Sequence, residues 1–408
     1  MSLIIDCDYL SQFKAENLAL FTGFPKNNEE EWRYTRLSAL EKQVFNTIPA
    51  NNSLDLSNYK LVDAWHIIFI NGQFSSELSN LTDLPESVVL TSLLQVQSEQ
   101  LKPYLGQAVN ANEHGFIRFN NANFSDGLFL HIPENVVLEK PLQLLHIVSE
   151  TNTLAATRNI IVLDTNAQAQ LIESFVSVDN YNYLTATVNE VFLAENAQLN
   201  WYKVQVESEN ASHFGGTYTQ QSNNSYFNHY NIALGALLAR NEVHNDLKNG
   251  AECELNGLSV VAKRQHCDNH TRIIHAEPNG ISREYYKSIA DNRARAVFQG
   301  RIIVAENAQK TSSTMNNRNL LLSSDAEIDT KPQLEIYADD VQCSHGVTIG
   351  QLSEQSIFYL QSRGIDSESA RNILTFAFAN EMVDKITIVS LKQWVFMLLS
   401  KHFPQANV

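Results

Sequence analysis

Apolar residues near the start of the chain fall at helical spacing. Tyr9, Leu10, Phe13, Leu18 and Phe21 predict a helix that stops at the Gly23–Pro25 break. A second helix is predicted from Asn28-Glu-Glu-Glu through Trp32 toward Val44 and Phe45, because glutamates in a first turn favour the positive end of the helix dipole. His66-Ile-Ile-Phe-Ile then reads as a strand halted by the turn pair Asn71-Gly72. From about residue 113 the pattern changes to short apolar runs at 116–119, 127–132, 142–148 and 160–163, each read as a strand. After Gly350 helical spacing returns. Ser353 caps a helix over 354–362, Gly364 supplies a left-handed stop, and Asp366 or Ser367 opens a helix through Phe376 and Phe378. A last helix carries Leu391, Trp394, Val395, Leu398 and Leu399. The division is 1–110 helical and mixed, 111–350 all-β, 351–408 helical.

The β zone repeats itself. Ile161-Val-Leu-Asp-Thr-Asn-Ala-Gln-Ala-Gln-Leu matches Val191-Phe-Leu-Ala-Glu-Asn-Ala-Gln-Leu, and both match Ile302-Ile-Val-Ala-Glu-Asn-Ala-Gln-Lys-Thr. Weaker copies begin at Lys248 and Leu322. Each copy is a strand, a polar corner holding a small alanine, and another strand. Stacked coils, a parallel β-helix, explain this better than a hairpin sandwich or barrel. The irregular alanine spacing (Ala167, Ala197, Ala251, Ala308, Ala326) then means coils of unequal length.

Composition sharpens that choice. The chain has only 15 glycines and 9 prolines in 408 residues, but 42 asparagines. Asparagine tolerates left-handed backbone, so it can turn the corners that glycine usually turns. Asn166, Asn196, Asn249 and Asn307 are expected at coil corners, where stacked amides can bond along a ladder. A net charge of −16 argues against nucleic acid as a partner. No apolar run approaches the ~18 residues that read as a membrane span, and the first residues lack the basic and apolar parts of a signal peptide. Cys7, Cys253, Cys267 and Cys343 are too scattered for a disulfide framework, so a cytoplasmic protein with free thiols is expected.

Candidate chemistry is sparse. GxSxG, HExxH, Walker A and GxGxxG motifs are missing. Asp339 and Asp340 are adjacent, so on a strand they point apart, which weakens a β-helix enzyme acting on polysaccharide. His266-Cys267-Asp-Asn-His270, with His275 beyond, suits zinc or iron by composition. On a strand, however, His266 and His270 share one face and Cys267 and His275 the other, so polar residues on a β-helix face are the better reading. Cys343 and His345 form an i, i+2 pair on one strand face, half of a transition-metal or cluster site that a partner chain would complete. Residues 263–301 hold eight basic side chains against four acidic ones, a local stripe open either to an acidic partner or to plain solvated pairing.

The chain from His275 to about Phe378 resembles the SufB/SufD family of iron–sulfur cluster assembly proteins. The resemblance rests on His275-Ala-Glu-Pro, Tyr286-Lys-Ser, Ala296-Val-Phe-Gln-Gly-Arg, Ala308-Gln-Lys-Thr, Asn317-Arg-Asn-Leu-Leu-Leu-Ser, Asp329-Thr-Lys-Pro, Cys343-Ser-His-Gly-Val-Thr-Ile-Gly-Gln-Leu and Phe358-Tyr-Leu-Gln-Ser-Arg-Gly-Ile. Glu31-Trp-Arg-Tyr-Thr, Ile70-Asn-Gly and Asp126-Gly127 extend it upstream. The Cys-Ser-His-Gly wording and the lack of clustered cysteines resemble the SufD branch. The resemblance implies a right-handed parallel β-helix core flanked by N-terminal and C-terminal helical regions, and a non-catalytic scaffold subunit. It further implies one SufB paired through the β-helix end, SufC ATPase on the helical tail, and a possible SufD homodimer, with no nucleic acid and no membrane. His345 then faces a SufB cysteine where iron or a nascent iron–sulfur cluster is held transiently, Cys343 lies beside it, and no cofactor is intrinsic. Arg363, Gly364, Ile365, Ala370, Leu374, Phe376 and Phe378 become the SufC-docking residues.

Overall fold

The computed structural model describes residues 7–109 and 115–404; the Cys7 side chain lies outside the described set. Among the described residues, nineteen strands form two sheets. One holds, in spatial order, β2 (Gln73–Asn80), β1 (Trp65–Ile70), β5 (Leu142–Val148), β7 (Gln168–Ser177), β9 (Gln198–Val206), β11 (Tyr226–Ala233), β13 (Glu252–Val261), β15 (Ile281–Ala290), β17 (Ser312–Leu321) and β19 (Gln342–Gly350). The other holds β3 (Val89–Ser92), β4 (Leu128–Ile132), β6 (Thr153–Leu163), β8 (Tyr183–Leu193), β10 (Ser212–Gln221), β12 (Leu238–Leu247), β14 (His266–His275), β16 (Arg295–Val304) and β18 (Glu327–Ile336). From β4 onward the chain alternates between the sheets, and each strand pairs in parallel with the one a coil earlier. This is a parallel β-helix of about eight turns.

Strands β1, β4, β5 and β6 are buried on both faces and read as largely apolar runs, whereas β2, β18 and β19 are half-buried or exposed over most of their length. Lumenal residues of the two sheets, such as Phe227, Leu255 and Tyr286 against Val243, Ile273 and Phe298, share one core. Each outer face has its own cover. Helices α1 (Cys7–Leu20) and α3 (Gly115–Asn123), the short α2 (Ser98–Leu101) and the Trp32–Leu40 segment lie over the β4–β10 side. Phe116 stacks on Phe214 at 3.7 Å between ring centroids. On the opposite face, α4 (Glu354–Ser362), α5 (Ser367–Val383) and α6 (Val389–His402) follow the last strand. Phe376, Met382, Val383, Leu391, Val395 and Leu399 bury against Tyr202, Tyr230, Ile232, Leu258 and Ile289. Ser353 and Asp366 cap α4 and α5, and Gly364 takes φ 90° between them.

Three expectations need correction. The first 110 residues are not separate from the β-helix, since β1 to β3 belong to its sheets. Residues 116–119 are helical, not extended: Phe116 and Phe119 sit three apart and face the same aromatic cluster. The stretch from Asn28 to Phe45 forms only the 3-10 turns Glu30–Trp32 and Leu40–Lys42, because Trp32, Leu37 and Leu40 anchor separately on the sheet.

Asparagine does turn the corners. Asn166 and Asn196 have φ of 61° and 58°, while Asn249 and Asn307 lie in turns whose left-handed residues are Gly250 and Lys310. The amides stack: Asn196 donates to Asn166 (3.1 Å), Asn166 to Asn135 (2.8 Å), and Asn279 to Asn249 (3.0 Å). The uneven alanine spacing has two causes. One coil carries Ser225 where alanine was sought: Tyr226 N–H donates to Ala197 O and Glu252 N–H to Ser225 O. Ala326 belongs to another corner, above Ala294, whose carbonyl accepts from Glu327.

The closing of the two ends differs. At the N-terminal end, β2 and β3 pair antiparallel with β1 and β4 and interrupt the parallel stacking. At the C-terminal end, β18 and β19 continue the parallel stacking and, like β2 and β3, have a strand partner on one side only among the described residues. The asparagine corners predict a separable pair of effects. Asn166→Ala should destabilise by about 1–2 kcal/mol, since alanine is strained in left-handed backbone and the ladder loses two bonds. Asn166→Gly should cost less, because only the ladder is lost. Urea unfolding midpoints of the two variants check the order.

Candidate functional site at the open end

Cys343 and His345 both lie on β19, the last strand of its sheet. Cys343 registers with Ser313 and His345 with Met315, residues that face the lumen, so the pair continues two lumenal columns to their open end. His345 is exposed and Cys343 half-buried against the core that includes Leu334 and Val341. Burial pushes the Cys343 thiol up, and a bond from the Ser313 backbone offsets part of that. A metal there would therefore release a proton on binding. Among the described residues no three of His, Cys, Asp and Glu converge to hold a metal ion. One thiol and one imidazole on an unpaired edge are half a ligand set, in keeping with the spacing in the sequence.

Below them the lumen is polar. Under Cys343, Ser313 and Ser282 bond each other at 2.7 Å, and Ser282 meets His275 Nε2 at 2.9 Å. Burial holds His275 down, to about 4. Under His345 and Met315 lies Glu284, fully buried, with one oxygen accepting from the Thr271 hydroxyl at 3.2 Å. Burial pushes this carboxyl up to about 8, despite the Thr271 bond. Glu284 did not stand out in the sequence, and His275 did so only beside the His266–His270 patch, because only the coil register brings the two beneath β19.

The other candidates resolve as structure. Cys267 faces the lumen and contacts Ser259 at 3.4 Å, and burial raises its thiol to about 11. His266, Asp268 and His270 face outward beneath the N-terminal segment. Thr35 donates to Asp268 at 2.5 Å, Arg240 pairs with Asp268 at 2.9 Å and stacks over Trp32 at 3.7 Å, and His270 reaches Glu31 at 3.4 Å. Burial opposes protonation of His270, but Asp268 and Glu31 outweigh it and its pKa is raised. Glu31-Trp-Arg-Tyr-Thr is thus the strap that pins the N-terminal segment to the sheet. The basic stripe is largely spent inside the molecule: Lys263–Glu209, Arg283–Glu254, Lys287–Glu381, Arg293–Asp325, Arg295–Asp329 and Arg301–Glu335 are ion pairs. It is the solvated-pair alternative that the structure supports, not a free surface for an acidic partner.

In the helical tail, Arg363, Gly364 and Ile365 lie at the turn between α4 and α5, with Phe358 and Tyr359 exposed nearby. Leu374 is half-buried. Ala370 and Phe376 point inward and are buried, and the Phe378 ring lies 4.2 Å from Lys287 Nζ. These last three therefore pack the tail itself and do not face outward. Among the described residues no helix is long and apolar enough to cross a membrane.

The chain is thus a parallel β-helix covered on both outer faces, whose last parallel strand, β19, carries a thiol–imidazole pair. Residues 6–144 match the SufBD protein N-terminal region, and residues 146–378 match the SufBD core domain of the SUF system for FeS cluster assembly. The chain is 37% identical to an iron–sulfur cluster assembly SufBD family protein of Synechocystis sp., over 90% of this chain and 85% of that one. It is 31% identical to the iron–sulfur cluster assembly protein SufD of Escherichia coli (94% and 90%) and 30% identical to the chloroplastic protein ABCI7 of Arabidopsis thaliana (91% and 81%). The chain belongs to the SufBD family of iron–sulfur cluster assembly proteins.

Glu284 yields a pH prediction. A carboxyl whose folded pKa exceeds its unfolded one binds more protons in the native state, so stability falls as pH rises between the two values. For Glu284 that window runs from the ordinary carboxylate range to about 8. Glu284→Gln stays neutral, so thermal melts from pH 5 to 9 should show a shallower alkaline decline than the wild type, with near-equal stability at pH 5.

Proposed function

We propose that the chain is a non-catalytic, SufD-like scaffold subunit that pairs through its open β-helix end with SufB and carries SufC on its helical tail, in a reducing cytoplasm. The observation that carries this is the placement of Cys343 and His345, facing the lumen on a strand with one free edge. An unpaired strand is a template for another strand. A partner strand laid on β19 brings its own lumenal side chains within reach of His345 and supplies the ligands this chain lacks.

In that arrangement the His345 imidazole offers a ring nitrogen to incoming iron, and a partner thiolate supplies sulfur ligation. Cys343, its thiol protonated until metal displaces the proton, is a second sulfur donor from this side. The iron and the growing cluster are cargo. Exposed Phe358 and Tyr359, with the Arg363–Ile365 turn, form the SufC surface, and ATP hydrolysis there shifts the paired β-helices between two arrangements. The same free edges can pair with a second copy of this chain, which gives the homodimer when SufB is scarce. The polysaccharide-enzyme alternative gains no support from Asp340, which is occupied by Lys310.

The test is reconstitution with SufB, SufC, iron, a sulfide source and ATP. His345→Ala should leave the complex assembled but reduce cluster yield at least tenfold, read by absorbance and by iron and sulfide content. Cys343→Ser should reduce it less. Unchanged yield with His345→Ala sinks the site, and a chain that binds neither SufB nor SufC sinks the whole function.

A further inference from the structure

We propose that Lys287 is a positioning residue that couples the C-terminal helices to the coils beneath the cluster site; this rests on the function proposed above. Lys287 projects outward from the middle of β15, and its side chain is only 1% exposed. It registers beside Leu258 and lies two positions before Ile289, at the border of the apolar contact between sheet and helices, while its partner Glu381 is half exposed. A lysine is an expensive choice there. A methionine of similar length would pack without the cost of burying a charge, and buried ion pairs often add nothing to stability over apolar replacements.

What the lysine provides is direction. Its Nζ donates to Glu381 Oε2 at 2.5 Å and to the Phe378 carbonyl at 2.9 Å. Tyr285, two positions earlier on the same outer face, donates its hydroxyl to the other oxygen of Glu381 at 2.7 Å. One strand therefore grips a single carboxylate near the end of α5 from two sides. The intervening and preceding residues of that strand, Tyr286 and Glu284, point the other way, into the lumen, Glu284 beneath Met315 and His345 and Tyr286 beneath Asn317 and Val347. The helix begins at Asp366, directly after the exposed Arg363–Ile365 turn. A helix of 17 residues spans about 25 Å as a stiff rod. A push on the turn where the nucleotide-hydrolysing partner would dock thus reaches Glu381, passes to Tyr285 and Lys287, and arrives at the lumenal side chains under the open end. Tyr230, bonded to the Met382 carbonyl, and Tyr202, bonded to Thr387 at 2.9 Å, hold the same helix end but act from earlier coils, farther from β19.

The test uses the reconstituted complex with SufB, SufC and ATP. Lys287→Met should fold, with thermal stability equal to or above the wild type, bind both partners and leave ATP turnover unchanged. Cluster formed per ATP hydrolysed should fall at least fivefold. The exchanged pair Lys287→Glu with Glu381→Lys should recover part of that ratio, which a packing defect would not do. Amide hydrogen exchange gives a second readout: ATP should alter exchange in β15 and β17 of the wild type and not of Lys287→Met. An unchanged cluster-to-ATP ratio, or an unchanged exchange response, overturns the coupling role. A wild-type complex that makes no cluster overturns the functional reading instead, and the exchange comparison then still decides the clamp.

Discussion

In a parallel β-helix each coil satisfies its backbone through the coil before it and the coil after it. From β6 on, the interior strands meet that condition through parallel ladders in which residues some 26 to 32 positions apart lie side by side. The condition cannot be met at the ends, and the two ends are treated differently. Among the described residues each end leaves edge strands with one row unpartnered by a strand: antiparallel β2 and β3 at the start, parallel β18 and β19 at the finish. Natural sheets blunt such edges unless they are used. The free edge and the thiol–imidazole pair occupy the same strand, β19, and the proposed pairing with a partner strand relies on that coincidence.

The rest of the molecule supports that end. The N-terminal segment straps one outer face through Trp32, Thr35, Arg240 and Asp268, and the C-terminal helices cover the other through an apolar contact bordered by Lys287 and Glu381. Many surface charges are used in pairs along the coils, such as Arg295–Asp329 and Arg301–Glu335. Exposed pairs of this kind contribute little to stability individually. They do keep a flat, stacked surface from presenting unopposed charge. Inside the lumen, polar residues such as Glu284, His275 and Ser282 lie beneath the site, as Glu173, Lys203 and Asn189 do in earlier coils.

Much of this was legible in the sequence because it follows from local chemistry. Asparagine and corner alanine announced the coils, Ser353, Gly364 and Asp366 marked helix boundaries, and the spacing of Cys343 and His345 put them on one face. What was not legible depends on residues far apart. The helix at Gly115–Asn123 passed for a strand because its apolar residues are few and its burial comes from Trp32 and Phe214. Glu284 looked like one more surface charge until the register placed it under Met315 and His345. Ala370, Phe376 and Phe378 were sought on an outer surface, but helical periodicity alone does not tell which apolar stripe meets the sheet. The His266–His270 cluster was read correctly as structural from strand alternation, although its partners Thr35 and Glu31 could be found only in three dimensions.

The central claim is that the open coil, and not a helical face, receives the partner that completes the site. Amide hydrogen exchange of the chain alone and in complex with SufB tests this most directly. The account predicts new protection concentrated in Gln342–Gly350 and Glu327–Ile336, with the antiparallel strands β2 and β3 unchanged. Protection confined to the helices or to the N-terminal end, with β18 and β19 exchanging as freely as before, would contradict it.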